Sequence, residues 1–487
     1  MPRVLFGSLK ADQPDLLNGE LEEAENCIPY MQSYGPFPAP VAYSAAADDV
    51  VKGAYSTKDL SGNVYTFLGT DKKLYKESAT ALDDVTRTAT YTVATDRVNW
   101  EFETFGNTVL AVNGADAMQV FTMGTSTRFL NQSASASAPI ARNIAVVRDF
   151  VFTGNQPNLT ARVQWSRINN PLRWNISQRF QSDYQDLPGT DQYIKKVTGG
   201  DFASIFTNTS VWRATYVGSP LIFRFDEVAR NIGCYATGSV ARYQNMSFFL
   251  SDAGMYVFDG QQCSPIGLEM IDETILAEIN TSYLNRISST IDPVNRLYLM
   301  AYPSTASTDG TSTRIAIYSW ATQRWAFASE NIECLFNHMT GGYTLEGLDG
   351  FGTLDALAFS LDSNVWLGGL SALSCVNTDH KIARFLGAAK TARFTTGEGE
   401  LVTDARAFVR SLRPLVQGSA ATNITTYVGG RDRLIDSVSW TSGSVMNATG
   451  TCPVRSNHRY HRLKMEVSGG FDRVMGSEVE FTKEGIR

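Results

Sequence analysis

The chain has 487 residues, of which 43% are hydrophobic and 19% charged, and its formal net charge is −7. This composition excludes intrinsic disorder, and the length is enough for more than one hydrophobic core. The acidic balance argues against tight binding to a nucleic-acid backbone, and no run approaches the ~18 apolar residues of a membrane helix.

Residues 1–45 read as an extended arm. Met1-Pro-Arg-Val-Leu-Phe-Gly7 lacks the basic start and long apolar stretch of a secretory signal. Acidic Glu20-Leu-Glu-Glu-Ala-Glu25 precedes Pro29 and Gly35-Pro-Phe-Pro-Ala-Pro40. Prolines have no N–H to give to a ladder, so this stretch stays extended. Such an arm either docks on a neighbour or closes a sheet.

From 46 to 385 a loose rhythm recurs: an apolar run, a short turn, then a run ending in an aromatic. It appears at Phe67–Tyr75, Val112–Phe121, Phe206–Trp212, Leu250–Phe258 and Phe359–Trp366. The starts at 67, 112, 206 and 250 are separated by 45, 94 and 44 residues, the middle gap being about two periods. Two further units near 152 and 298 fit between them. Short strands repeating every 40–50 residues are the signature of propeller blades. We therefore expect an all-β chain with a β-propeller of about seven blades, six being the nearest alternative. Asp272–Ile279 is the best helix signal, with Ile275, Leu276 and Ile279 on one face and Asp272 placed to cap it.

Beyond 386 the pattern changes. Ala407–Val416, Asn423–Val428, Arg462–Val467 and Glu478–Phe481 alternate at period two, which predicts sheets buried on one side. Residues 386–487 thus read as a β-sandwich-like domain, some of whose strands could instead complete the last blade.

Chemistry-bearing motifs are scarce. No His-Glu-x-x-His, Cys-x-x-Cys, Walker loop or Gly-x-Ser-x-Gly occurs. Cys27, Cys234, Cys263, Cys334, Cys375 and Cys452 lie too far apart in sequence for a metal-ligand spacing and read as free buried thiols. His458 and His461 sit in Arg455-Ser-Asn-His-Arg-Tyr-His-Arg462, a basic turn without its own carboxylate. The acid pairs Asp48-Asp49, Glu22-Glu23 and Asp83-Asp84 read as solvated charge rather than a glycosidase pair. Trp165, Trp174, Trp212, Trp320, Trp325 and Trp366 fall mostly in strand patterns, which favours core packing over sugar stacking. Asn131, Asn158, Asn175 and Asn208 head glycosylation-type triplets that we expect to be unmodified. We expect no enzyme activity, no catalytic, cofactor-binding or metal residues, and no cofactor.

Ser251-Asp-Ala-Gly-Met-Tyr-Val-Phe258 resembles the Asp-box turn of sialidase-type propellers, a folding element. On a larger scale, Phe105–Asn113, Val146–Phe152, Val163–Trp174, Ser210–Arg213, Phe248–Gly260 with Pro265–Gly267, and Arg459–Val467 resemble, in that order, the tail nozzle or packaged-DNA stabilisation proteins of short-tailed bacteriophages. That resemblance covers about residues 60–480. It implies a structural virion protein: a ring below the portal and adaptor, of six copies by family habit, that extends the DNA channel, helps retain the packaged genome and conducts it at ejection. The implied partners are further copies of the chain, the head–tail adaptor, and tail fibre, spike, needle or plug proteins. Duplex DNA would pass without specific binding. Assembly in the host cytoplasm fits the missing signal, and six copies at −7 each carry −42, suited to a wall past which DNA slides. The alternative is a carbohydrate-binding or glycoside-cleaving propeller for host recognition.

Overall fold

The computed structural model describes residues 2–16, 19–92, 99–189, 192–341, 371–418 and 420–485. Among them, antiparallel strands build seven four-stranded blades in chain order. Blade one is Ala54–Lys58, Val64–Gly69, Leu74–Ser78 and Ala81–Asp84. Blade two is Glu101–Phe105, Thr108–Val112, Gln119–Thr122 and Leu130–Asn131. Blade three is Asn143–Val147, Phe150–Gln156, Leu159–Trp165 and Asp183–Asp186. Blade four is Ile194–Thr198, Ala203–Thr207, Ser210–Gly218 and Ile222–Arg230, and blade five is Ala241–Tyr243, Met246–Ser251, Gly254–Phe258 and Cys263–Pro265.

Blade six comprises Ser288–Asp292, Leu297–Tyr302, Ser312–Ser319 and the first half of the long strand Arg324–Met339. The second half of that strand leaves blade six and becomes the first strand of blade seven. There it pairs with Ser371–Asn377, which pairs with Lys381–Ala389. The fourth strand comes from the other end of the chain: Pro38–Ala46 lies antiparallel to Lys381–Ala389, with Ala42 opposite Ala383 and Pro40 opposite Phe385. Closure by a distant strand leaves the ring without an open seam. The prolines are tolerated because this strand lies at the blade's edge.

The chain is thus a seven-bladed β-propeller. The sequence units near 67, 112, 152, 206, 250 and 298 each begin in the second strand of successive blades one to six. That strand is buried on both faces: Phe150–Gln156 is buried at every position. The unit at 359–366 lies outside the described residues.

Each seam between blades is filled by apolar side chains. Between blades one and two, Phe67 is fully buried, with Phe121 at 5.1 Å and Phe129 at 5.4 Å between ring centroids. Burying one such ring stabilises by about 1.5–3 kcal/mol, and each aromatic pair adds about 0.5–1.5 kcal/mol. Trp100 completes this seam by lying flat on Gly69, where a Cβ would come within 2.3 Å of the indole, and its N–H donates to the Thr70 carbonyl (2.8 Å).

The expected helix forms at Asp272–Glu278. Its cap differs from the expectation. The Asp272 carboxylate turns away to accept from the Met255 N–H (2.9 Å), and Asp12 caps the helix instead. Asp12 accepts from the N–H groups of Glu273 and Thr274, each at 2.9 Å, and from the Thr274 hydroxyl at 2.7 Å.

The second domain is a β-sandwich whose strands come from both chain ends. One sheet runs Cys27–Pro29, Tyr34–Pro36, Arg473–Lys483, Ala407–Gln417 and Cys452–His458, with Arg3–Leu5 also on Arg473–Lys483. The other runs Leu21–Glu25, Ala392–Thr396, Tyr460–Gly470 and Ala420–Arg431, with the short strands Ser439–Trp440 and Ser444–Val445 at its edge. Val409, Leu412, Val428, Val454, Leu463 and Val479 pack between them. The last blade takes its outer strand from Pro38–Ala46, not from the C-terminal strands.

Residues 1–45 therefore tie the domains together. Leu21–Glu25 runs parallel to the outer strand of blade six, with Glu25 opposite Phe327, and joins the sandwich through Ala392–Thr396. Arg314 of blade six donates to Glu25 at 2.7 Å. Arg324, 5% exposed, donates to the carbonyls of Phe6, Gly7, Tyr30 and Met31. One guanidinium thereby satisfies four carbonyls of a segment with few ladder bonds of its own.

Candidate functional site

Three features could carry function: the axial cavity, the closing seam and the rim. The first strands of the blades line the axis, as the cavity walls show. A cavity of about 560 Å³ is walled by Tyr55, Glu101, Glu103, Lys196, Thr198 and Arg242 with neighbouring backbone. Lys196 pairs with Glu101 (2.7 Å), whose other oxygen accepts from the Ile144 N–H (3.3 Å). Burial raises the Glu103 carboxyl to about 7, against the Thr104 N–H and the attraction of Lys196. Arg242 donates to the Phe202 carbonyl and lies 5.1 Å from the Phe202 ring centroid. The cavity brings a Tyr, two Glu and one arginine together, short of the several arginines that sialidase chemistry gathers.

The closing seam, between blades seven and one, adds a buried polar network to its apolar cluster. His338 Nε2 donates to Glu77 (2.7 Å), and the Tyr43 hydroxyl donates to the other Glu77 oxygen (2.6 Å). Arg384 donates to His338 Nδ1 (3.3 Å), and its guanidinium lies 4.3 Å from the Tyr43 ring centroid. Burial alone would raise the Glu77 carboxyl. Attraction to the His338 ring and hydrogen bonds from His338, Tyr43 and Thr66 outweigh it and bring the group down to about 2. In the same seam, further along the strand Arg324–Met339, Glu333 accepts from the Val51 N–H (2.8 Å) and meets His380 Nδ1 at 2.5 Å. Every member is held by another, which fits a structural lock.

Large apolar side chains are exposed singly at many points, among them Leu60, Met31, Val294, Leu268 and Leu221, and two regions carry several each. On blades two and three these are Leu130 (56% exposed), Ile140, Leu172, Ile176 (59%) and Phe180. All but Ile140 and Leu130 sit in the 166–182 connection of blade three, and Phe180 is flanked by Arg167 and Arg179. On the sandwich, Leu434, Ile435 (85%), Trp440 and Val445 cluster along one 434–445 segment. The sandwich is joined to blade six, and the seam between blades two and three lies half a turn from blade six in a ring of seven.

The residues singled out from sequence take mostly structural places. Trp165, Trp174, Trp212 and Trp325 are buried, Trp320 is partly buried against Phe248, and Trp366 lies outside the described residues. All six cysteines are free, five of them buried. His461 is buried and held down at about 4 by that burial and by His458. The basic turn lacks carboxylates only in sequence: Glu400 and Asp404 come to Arg459 at 2.9 and 3.2 Å, and Asp432 lies 3.9 Å from His458. At least one member of each acid pair meets a cation, Asp48 and Asp84 at Lys73 and Glu22 at Arg462. Among the described residues no group of three or more His, Cys, Asp or Glu is arranged to hold a metal ion, and no helix is long and apolar enough to cross a membrane. In the Asp-box-like hairpin, Asp252 accepts from the Ser251 hydroxyl (2.9 Å), Gly254 takes φ +125°, and Phe258 packs between blades four and five against Phe206. The rim patches were not legible in the sequence, because apolar residues outside strands are ordinary and only the fold shows which of them stay exposed.

No protein-family model matches the chain, and no curated protein matches it. Among solved structures it is similar to the WD40 domain of Pan2 from Neurospora crassa, at 10% identity and a TM-score of 0.38, over 74% of this chain and 99% of that one. It is also similar to the computationally designed Ika8 protein, at 10% identity and a TM-score of 0.38, over 72% of this chain and 99% of that one.

Proposed function

We propose that this protein is a structural ring subunit, and that the ring is a tail nozzle of a short-tailed bacteriophage that continues the DNA channel below the portal and adaptor. The observation that carries the ring is the pair of unlike apolar patches on opposite sides of the subunit. A contact between two copies of one patch makes a dimer. A contact between two different patches is head-to-tail, and makes a ring where the rotation from copy to copy closes and an open filament where it does not. Exposed apolar clusters of this kind mark protein interfaces. The nozzle assignment adds the resemblance in the order of sequence segments. The net charge of −7 supports a conduit that does not hold DNA by its phosphates.

The test is native mass spectrometry and negative-stain imaging of the purified protein, alone and mixed with the adaptor of the same virion. The proposal expects closed rings of one copy number, six by the family habit, with a central hole near the width of a DNA duplex. A chain that stays monomeric in both mixtures and is absent from purified tails overturns it.

A further inference from the structure

The sandwich carries a second concave feature that the ring does not use. A groove of about 850 Å³ opens between the edge strand Cys452–His458 of one sheet and the 441–444 connection at the edge of the other. Its walls are Phe408, Arg410, Thr441, Ser442, Ser444 and Arg455, with Pro453 and Gly443 between them. Gly443 is required there, since a Cβ would press to 2.9 Å from the Tyr427 ring.

The two arginines are the informative pair. Val409 lies opposite Ser456 and Ser411 opposite Pro453, so a bulge at Val454–Arg455 sets Arg455 beside Arg410 across the strand pair. Both are exposed. Like charges on adjacent strands repel. Many surface arginines of this chain face carboxylates, as Arg162 does Asp186 at 2.7 Å, Arg459 does Glu400 at 2.9 Å and Arg433 does Asp436 at 2.8 Å. Among the described residues Arg128, Arg173, Arg296 and Arg413 stand apart from any carboxylate but line no groove with a second arginine. Arg410 and Arg455 have no ion pair, side-chain hydrogen bond or ring contact among the described residues. Two unmatched guanidinia at the mouth of a groove make an anion-recognition fork.

The rest of the groove narrows the anion. The half-buried Phe408 ring and Pro453 offer an apolar floor, and the hydroxyls of Ser442 and Ser444 stand at the wall. A duplex backbone needs a long basic stripe, and this sheet face carries Glu478 and Glu480 beside the groove, held by Arg3 and Ser411. Ring stacking, hydroxyl hydrogen bonds and one or two charges are what an acidic sugar presents, and the volume suits a short oligosaccharide. We propose that this groove binds an acidic oligosaccharide, its carboxylate or phosphate between Arg410 and Arg455 and a sugar face on Phe408. The proposal is independent of the ring.

The test is an array of uronate-, sialate- and phosphate-bearing oligosaccharides beside their neutral counterparts, probed with the full-length protein and with Arg410→Gln/Arg455→Gln. A short DNA duplex and inorganic phosphate serve as competitors. The proposal expects retention of at least one acidic class above its neutral counterpart. Affinity should fall at least about tenfold in the double variant, at an unchanged melting temperature, as for loss of one charged hydrogen bond. Phe408→Leu should weaken the sugar and leave any residual phosphate binding unchanged. It is overturned if no acidic class exceeds its neutral counterpart, if the double variant binds as well, or if the duplex or free phosphate competes as strongly as the sugar.

Discussion

The seam between blades one and two and the seam between blades seven and one do the same job with different chemistry. The first is held by Phe67, Phe102, Phe121, Phe129 and Trp100, all contributed by neighbouring stretches of chain. The second joins Glu77 and His338, 261 positions apart, and it adds Glu77, His338, Tyr43 and Arg384 to its apolar residues. Apolar packing is non-directional and tolerates shifts in register. A buried hydrogen-bonded network accepts one arrangement only. The difference teaches that where the chain must find a distant strand, directional bonds select the partner, while local seams need only volume and dryness.

The largest break in this comparison is removal of the arm. A chain beginning at residue 47 lacks the outer strand of blade seven, the four carbonyls held by Arg324, the Glu25 ion pair and the Asp12 cap. It is expected to yield no soluble folded protein. Soluble expression with a native-like cooperative melt would show that the seventh blade closes without its fourth strand.

Single substitutions compare the two seams directly. Phe67→Ala and Glu77→Ala should each cost about 3–5 kcal/mol at pH 7, the first as a cavity and the second as a broken buried pair. Acid should separate them. The Glu77 carboxyl titrates near 2 when folded, below its ordinary value near 4.5, so the stability it contributes is present above pH ~4.5 and is lost as pH falls towards 2. That contribution is about 3 kcal/mol. Urea melts should therefore find the Glu77→Ala deficit shrinking from pH 5 to pH 2 and the Phe67→Ala deficit persisting. Parallel deficits across that range would refute the network as the source of the second seam's strength.

The axial carboxyl has the opposite sign. Glu103 is raised to about 7 when folded, so the native state holds its proton longer than the unfolded chain and loses stability as pH rises from about 4.5 to 7. Glu103→Gln should gain about 1–2 kcal/mol above pH 7, after allowance for the group's partial exposure, and nothing near pH 4. A variant that gains equally at both pH values would place the effect in packing instead of ionisation. Smallest in stability is Ile435→Asp on the sandwich patch, expected to change the melt by less than about 0.5 kcal/mol while preventing ring closure.

How far these features were legible in sequence follows from how local they are. The second strand of each blade is buried on both faces, so runs such as Val109–Val112 and Phe248–Leu250 stand out without a partner in view. The alternation that marked the sandwich is local too. The fourth strand of blade seven was open between two readings, closing a sheet or docking on a neighbour, because the proline-rich 38–46 segment shows extended chain without showing its partner. The helix cap was misread for the same reason: Asp272 is in the expected place, but Asp12, 261 positions from Glu273, reaches the free N–H groups. The basic turn at 455–462 looked unopposed because its carboxylates, Glu400, Asp404 and Asp432, arrive from other strands and loops. The unpaired Arg410 and Arg455 stand out only once the register between their strands is known.

The central claim, a head-to-tail contact between unlike patches, is tested most directly by mixing two variants. Phe180→Asp disables the blade patch and Ile435→Asp the sandwich patch. Each alone should be monomeric in native mass spectrometry under conditions where the unaltered chain forms rings. An equimolar mixture retains one working blade patch and one working sandwich patch, so it should give a dimer containing one copy of each variant and nothing larger. A mixture that stays monomeric, or single variants that still close rings, would contradict the account.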